Sequence, residues 1–187
     1  MTYFVMTCEG VDPMPIARGP EPELDENWML GRSLNQSTVP QPLRYTLDPD
    51  YGGTPKAMYD AEANPVMRDD LIRVLTSAGV DNIQYFAAIL VDPESGKEHT
   101  NYKAFNIVGL VAAADMENSE LMATSDSTIG DVDFHALVID ESKCRGLLLF
   151  RLAENISAIV VHEKIKSAIE ASGIPGFVFY GLAEWSG

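Results

Sequence analysis

The chain is short of the residues that usually do chemistry. It has two cysteines in 187 residues, Cys8 and Cys144, far apart and without a CxxC partner or metal-ligand spacing. That excludes a disulfide framework and a zinc ribbon, and both are expected to be free thiols buried as small hydrophobes in a reducing compartment. The three histidines, His99, His135 and His162, fall on separate segments, so none forms the i, i+4 pair of a zincin helix. There is no GxSxG and no GxGxxG. Gly96-Lys97 lacks the upstream glycine and the following Ser or Thr of a phosphate loop. "DPDYGG", from Asp48, starts like a calcium loop but places Tyr59 where a bidentate glutamate belongs. No catalytic residue, metal or cofactor is therefore expected.

Basic residues are also scarce: 13 Lys and Arg stand against 28 Asp and Glu, for a net charge of −15, which makes nucleic acid an unsuitable partner. No apolar run reaches membrane-spanning length, and "YFVMTC" lacks the basic flank and the length of a signal segment, so a cytoplasmic protein with no membrane partner is expected. The acidic excess is uneven. Between Ala104 and Ser142 lie Asp115, Glu117, Glu120, Asp126, Asp131, Asp133, Asp140 and Glu141, with no lysine or arginine. Such a run is either a solvated face or a lure that speeds encounter with a basic partner. On the second reading Asp115, Glu117, Glu120, Asp126, Asp131 and Asp133 are candidate partner-binding residues. A hydrolytic pocket built on Asp115, Glu117 and Glu120 is a third possibility, but carboxylates this close in sequence usually share a solvated loop.

What the chain has in quantity is apolar residues, 46% of the total, enough for one ordinary core. "TYFVMT" near the start reads as a strand. From Val11 to Pro65 the chain holds nine of its eleven prolines, which disfavours long helices and central strands. A long arm (within 1–65) packed on an α+β body (66–187) is expected, anchored by Trp28, Met29, Leu30, Leu43 and Tyr45, with one or two short strands around Leu43 to Leu47. "PVMRDDLIRVLTSAGV" places Met67, Leu71, Val74 and Leu75 at helical spacing before Gly79. The β-rich runs on either side of "DPESGK" predict a hairpin. "DFHALVID", "GLLLFRL" and "GFVFYGL" read as strands, and a second helix is expected from about Val161 to Ser172. "VMRDDLIRVLTSAGVDNIQY" superposes without a gap on "VVHEKIKSAIEASGIPGFVF" at an offset of 94, matching Leu71 to Ile165, Leu75 to Ile169 and Gly79 to Gly173. The match has two readings: one shared design, or two generic amphipathic helices each with a glycine stop. Because hairpin turns outnumber strand–helix crossovers, the expected fold is α+β, with a mainly antiparallel sheet and about two principal helices.

Three stretches carry a family likeness: "YFVMTCE", "FNIVGLVAAADMENSE" and "LFRLAENISAIVVHEKIKSAIEASGIPGFVF", the last with Phe150-Arg151, Ile159, Glu163, Gly173, Gly176 and Phe179. Over nearly its whole length the chain resembles immunity family eleven of bacterial polymorphic toxin systems. The resemblance implies a cytoplasmic protein that binds and neutralises a cognate toxin stoichiometrically, without catalysis. Its partner would be another protein, either a basic toxin domain or, for a member turned regulatory adaptor, a kinase or other signalling or motility protein. The proline-rich arm and the acidic stretch from Asp126 to Asp133 depart from the family pattern.

Overall fold

The structure is a computed structural model that describes residues 2–9, 17–50, 54–60, 63–122 and 130–187. In chain order its strands are β1 (Tyr3–Cys8), β2 (Ala17–Glu21), β3 (Leu43–Leu47), β4 (Met58–Tyr59) and β5 (Val66–Arg68), and helix α1 (Asp69–Ser77) follows. Next come β6 (Ile83–Val91), β7 (Glu98–Ile107), β8 (Leu110–Val111), β9 (Glu120–Leu121), β10 (Phe134–Ala136), β11 (Leu149–Leu152) and β12 (Ile159–His162). Helix α2 (Glu163–Ser172) and β13 (Phe177–Gly181) close the series. The fold is mixed α+β with two α-helices, and every described ladder is antiparallel except β3 with β6 and β8 with β11. No helix of the described residues is long and apolar enough to cross a membrane.

Two sheets build the molecule. The first runs β13-β1-β12-β11-β8 and the second β2-β3-β6-β7-β5-β4. Within each, a strand–helix–strand unit brackets a strand from elsewhere in the chain. β5 and β6 both pair antiparallel with β7, and β12 and β13 both pair antiparallel with β1. The two units coincide at the 94-residue offset seen in the sequence, with Asp69 and Glu163 opening the helices and Ile83 and Phe177 opening the strands that follow. Gly173 stops α2 in the left-handed region at φ 70°, its N–H donating to the Glu170 carbonyl at 3.3 Å.

The first sheet carries a core on each face, the second is open on one face at its β2–β3 end, and strand alternation sorts their side chains. Met6 and Cys8 of β1 join a central core with Leu71, Leu75, Phe105, Ile107, Ile165 and Ile169, where both helices and the inner faces of both sheets meet. Tyr3 and Val5 turn the other way, under Ala113, Phe134, Cys144 and Trp185. Tyr102 and Ala104 of β7 lie in a third core under Trp28 and Leu34. Each fully buried aliphatic or aromatic side chain stabilises the fold by roughly 1.5–3 kcal/mol.

Local outcomes differ from the sequence reading at the two helix starts and in the proline-rich stretch. Met67, read with the first helix, and Val161 and His162, read as the start of the second, lie instead in the strands Val66–Arg68 and Ile159–His162. Ile159, Val160 and Val161 are β-branched and buried on both faces, and such residues fit a central strand better than a helix turn. The proline-rich stretch supplies β2, β3 and β4 to the second sheet, and β3 falls at Leu43–Leu47 as expected. Its prolines are tolerated because β2, which holds Pro20, is an edge strand. Trp28 is 2% exposed, with its ring 4.8 Å from Phe86, so it is the expected core anchor. The "DPESGK" hairpin closes with Asp92 N–H donating to the Lys97 carbonyl at 2.9 Å and Gly96 at φ 68°.

Candidate functional site

The described residues of the acidic segment include a two-stranded ribbon beside the first sheet. β9 pairs with β10, and the far edge of β10 bonds Gly187, with Phe134 N–H donating to the Gly187 carbonyl at 2.7 Å. Asp115 shapes the turn that enters the ribbon. Its carboxylate accepts from the N–H groups of Glu117 and Asn118, each at 3.2 Å, and from Asn118 Nδ2 at 2.7 Å. Its own N–H donates to the Val138 carbonyl at 2.8 Å. The Asn118 side chain, more than any other group, holds the Asp115 carboxyl below the usual carboxylate range. Asp115 is therefore occupied as a turn former.

Glu117 and Glu120 are exposed on the same ribbon, Asp131 is exposed at its far end, and Asp133 is half-buried with its carbonyl accepting from Met122 N–H at 3.0 Å. Asp126 lies outside the described residues. Asp140 starts the 3-10 turn Glu141–Cys144 by accepting from Ser142 N–H at 3.0 Å and Ser142 Oγ at 2.6 Å. Lys143, one residue past the cation-free stretch, brings positive charge to Asp115, Asp140 and Glu154.

An apolar component was missed in the sequence. Among the described residues five large hydrophobic side chains are exposed, and four of them, Met116, Leu121, Met122 and Val138, lie on this ribbon, at 37–42% exposure. The signal in the sequence was "MENSELM", where apolar residues fall between acids without a helical or strand period. The ribbon thus combines carboxylates with adaptable methionine and leucine side chains, a composition suited to contact with another protein.

Elsewhere the chemistry-bearing residues are engaged in structure. Burial pushes both thiols, Cys8 and Cys144, up from their ordinary pKa, the reverse of the change that activates a cysteine nucleophile. His162 caps α2, its Nδ1 accepting from Lys164 N–H at 3.1 Å, a role the sequence reading did not give it. Asp48, the first residue of "DPDYGG", accepts from Arg18 Nε at 2.7 Å and Asp50 N–H at 3.0 Å. Among the described residues no group of three His, Cys, Asp or Glu side chains is arranged to hold a metal ion.

No curated protein matches the chain. Residues 10–184 match the immunity protein family Imm11, which takes in both helices, the acidic ribbon and every described strand except β1. With that match spanning nearly the whole fold, the chain belongs to the immunity protein family Imm11.

Proposed function

We propose that this protein neutralises a basic toxin domain by stoichiometric binding in the cytoplasm, with no catalysis of its own, and that the β9–β10 ribbon is the surface it uses. The observation that carries the proposal is the coincidence, on one ribbon, of exposed acids with four of the five exposed large hydrophobics. A stoichiometric inhibitor needs this combination: apolar side chains for contact energy and carboxylates for orientation and encounter rate. Glu117, Glu120, Asp131 and Asp133 are the proposed charge contacts, with Asp126 belonging to the same segment and Asp115 setting the turn that presents them. Family membership supports the toxin as partner.

The test is affinity capture with the toxin encoded beside this gene, followed by toxin protection assays. Wild-type protein should co-purify at one to one and block the toxin, and a Met116→Ser/Leu121→Ser/Val138→Ser variant should lose binding while keeping its melting temperature. Undiminished protection by that variant would move the interface off the ribbon. Capture of a kinase or motility protein in place of a toxin would make the chain a regulatory adaptor, and turnover in a hydrolase panel would make it an enzyme.

A further inference from the structure

α1 and α2 lie side by side, and their outer seam is a groove of about 590 Å³. Its floor is apolar, formed by Val74 and Ala78 of the first unit and Ala168 and Ile174 of the second. Val74 and Ala168 are equivalent positions at the 94-residue offset, so the groove runs along the joint between two like helices. Its rim is cationic. Asp70 also borders it, but both carboxylate oxygens of Asp70 are taken by Arg68, at 2.8 and 2.7 Å. Arg73 and Lys164 are exposed on the rim with no carboxylate within 4 Å among the described residues. Arg18, Arg44, Arg68, Lys103 and Lys166 have a carboxylate partner, whereas these two face a shared apolar trough without one.

We propose that this groove is a second docking surface, of opposite sign to the ribbon, and that it takes an amphipathic helix with acidic flanks from a partner protein. Two parallel features select that occupant. A trough between two helices is the shape into which the side-chain ridge of a third helix fits, and at about 1.5 Å per residue helices of nine and ten residues offer a seat of about three turns. The two unpaired cations select acids beside the occupant's apolar stripe, against the repulsion of the chain's overall negative charge. The surface lies on different elements from the ribbon, so it stands whether or not the ribbon binds a toxin.

The experiment uses the full chain and two fluorescein-labelled 16-residue helical peptides. Both carry leucine at i, i+4, i+7 and i+11, one with glutamate and the other with lysine on the flanks, and binding is read by anisotropy. The glutamate peptide should bind roughly tenfold more tightly than the lysine peptide, as two exposed charge contacts of each sign imply. Arg73→Glu/Lys164→Glu should invert that order, and Val74→Gln/Ala168→Gln should abolish binding of both, with melting temperatures unchanged. No binding by either peptide, or an order that ignores the charge reversal, overturns the proposal. Toxin protection by the charge-reversed variant should equal wild type, and its loss would also overturn the proposal by making the groove part of the toxin surface.

Discussion

Gly31 and Gly109 meet backbone to backbone. The Gly109 N–H donates to the Gly31 carbonyl at 2.7 Å, and a Cβ on Gly31 would lie 2.8 Å from the Gly109 carbonyl carbon. Gly31 also has φ 66°, whereas Gly109, at φ 99°, has open space where its Cβ would be. Gly31→Ala must pay for both the left-handed backbone and the clash, Gly109→Ala for the backbone alone. Urea denaturation should show a loss of roughly 3 kcal/mol for Gly31→Ala and roughly 1–2 kcal/mol for Gly109→Ala. Equal losses would mean that the contact between the two backbones is not tight.

Arg68 grips Asp70 through both Nε and Nη2 at the start of α1, and this hydrogen bonding, more than the nearby helix N–H groups, holds the Asp70 carboxyl below its ordinary value. A carboxyl whose folded pKa is depressed adds stability that is fully present above the unfolded value, near 4, and is lost as pH falls through the folded one. Asp70→Asn should cost about 1 kcal/mol at pH 7, a figure that allows for its partial exposure, and the difference from wild type should shrink as pH falls below about 4. A difference that does not shrink in acid would assign the effect to packing.

Arg151 is 1% exposed. Its Nη1 donates to the Ile156 carbonyl at 2.8 Å, while Nε and Nη2 have no hydrogen-bond partner among the described residues. Burial pulls its pKa down to about 10, against the charge of Asp60, whose own carboxyl burial pushes up. Removing the cation leaves Asp60 poorly compensated. Arg151→Met should therefore lose roughly 1–3 kcal/mol, and adding Asp60→Asn should recover most of it. Simple additivity in that double-mutant cycle would separate the two charges.

With the toxin in hand, Glu117→Gln, Glu120→Gln, Asp131→Asn and Asp133→Asn together should slow association several-fold at low salt and by less at 0.5 M, with dissociation little changed. Stopped-flow kinetics at two ionic strengths measures this. An association rate indifferent to both salt and substitution would leave the acids as a solvated face.

Both helices, the Asp92–Lys97 hairpin and the 94-residue correspondence were legible in the sequence because each rests on local periodicity and turn residues. What sets the architecture was not. Nothing in "YFVMTC" says that it pairs with residues 159–162 on one side and 177–181 on the other, since partner choice belongs to the folded sheet. The acidic residues could be named from composition, but the division of labour between Asp115, spent on a turn, and Glu117 and Glu120, left exposed, depends on Asn118 and Val138 arriving beside it. The exposed Met116, Leu121, Met122 and Val138 were hidden for the same reason: an apolar side chain in sequence gives no sign of whether a neighbour will cover it.

The place of β1 between β12 and β13 also sets a timetable for synthesis. β1 is made well before both strands that flank it, β12 and β13. The hairpin-linked strands β6 and β7, with α1 and β5 just before them, can assemble while translation continues, as domains commonly do from their N-terminal portions. β1 must wait, carried on the nascent chain with its apolar faces unpaired, until about 150 further residues have been made. A chain stopped before β13 would present β1 as an open edge to its neighbours.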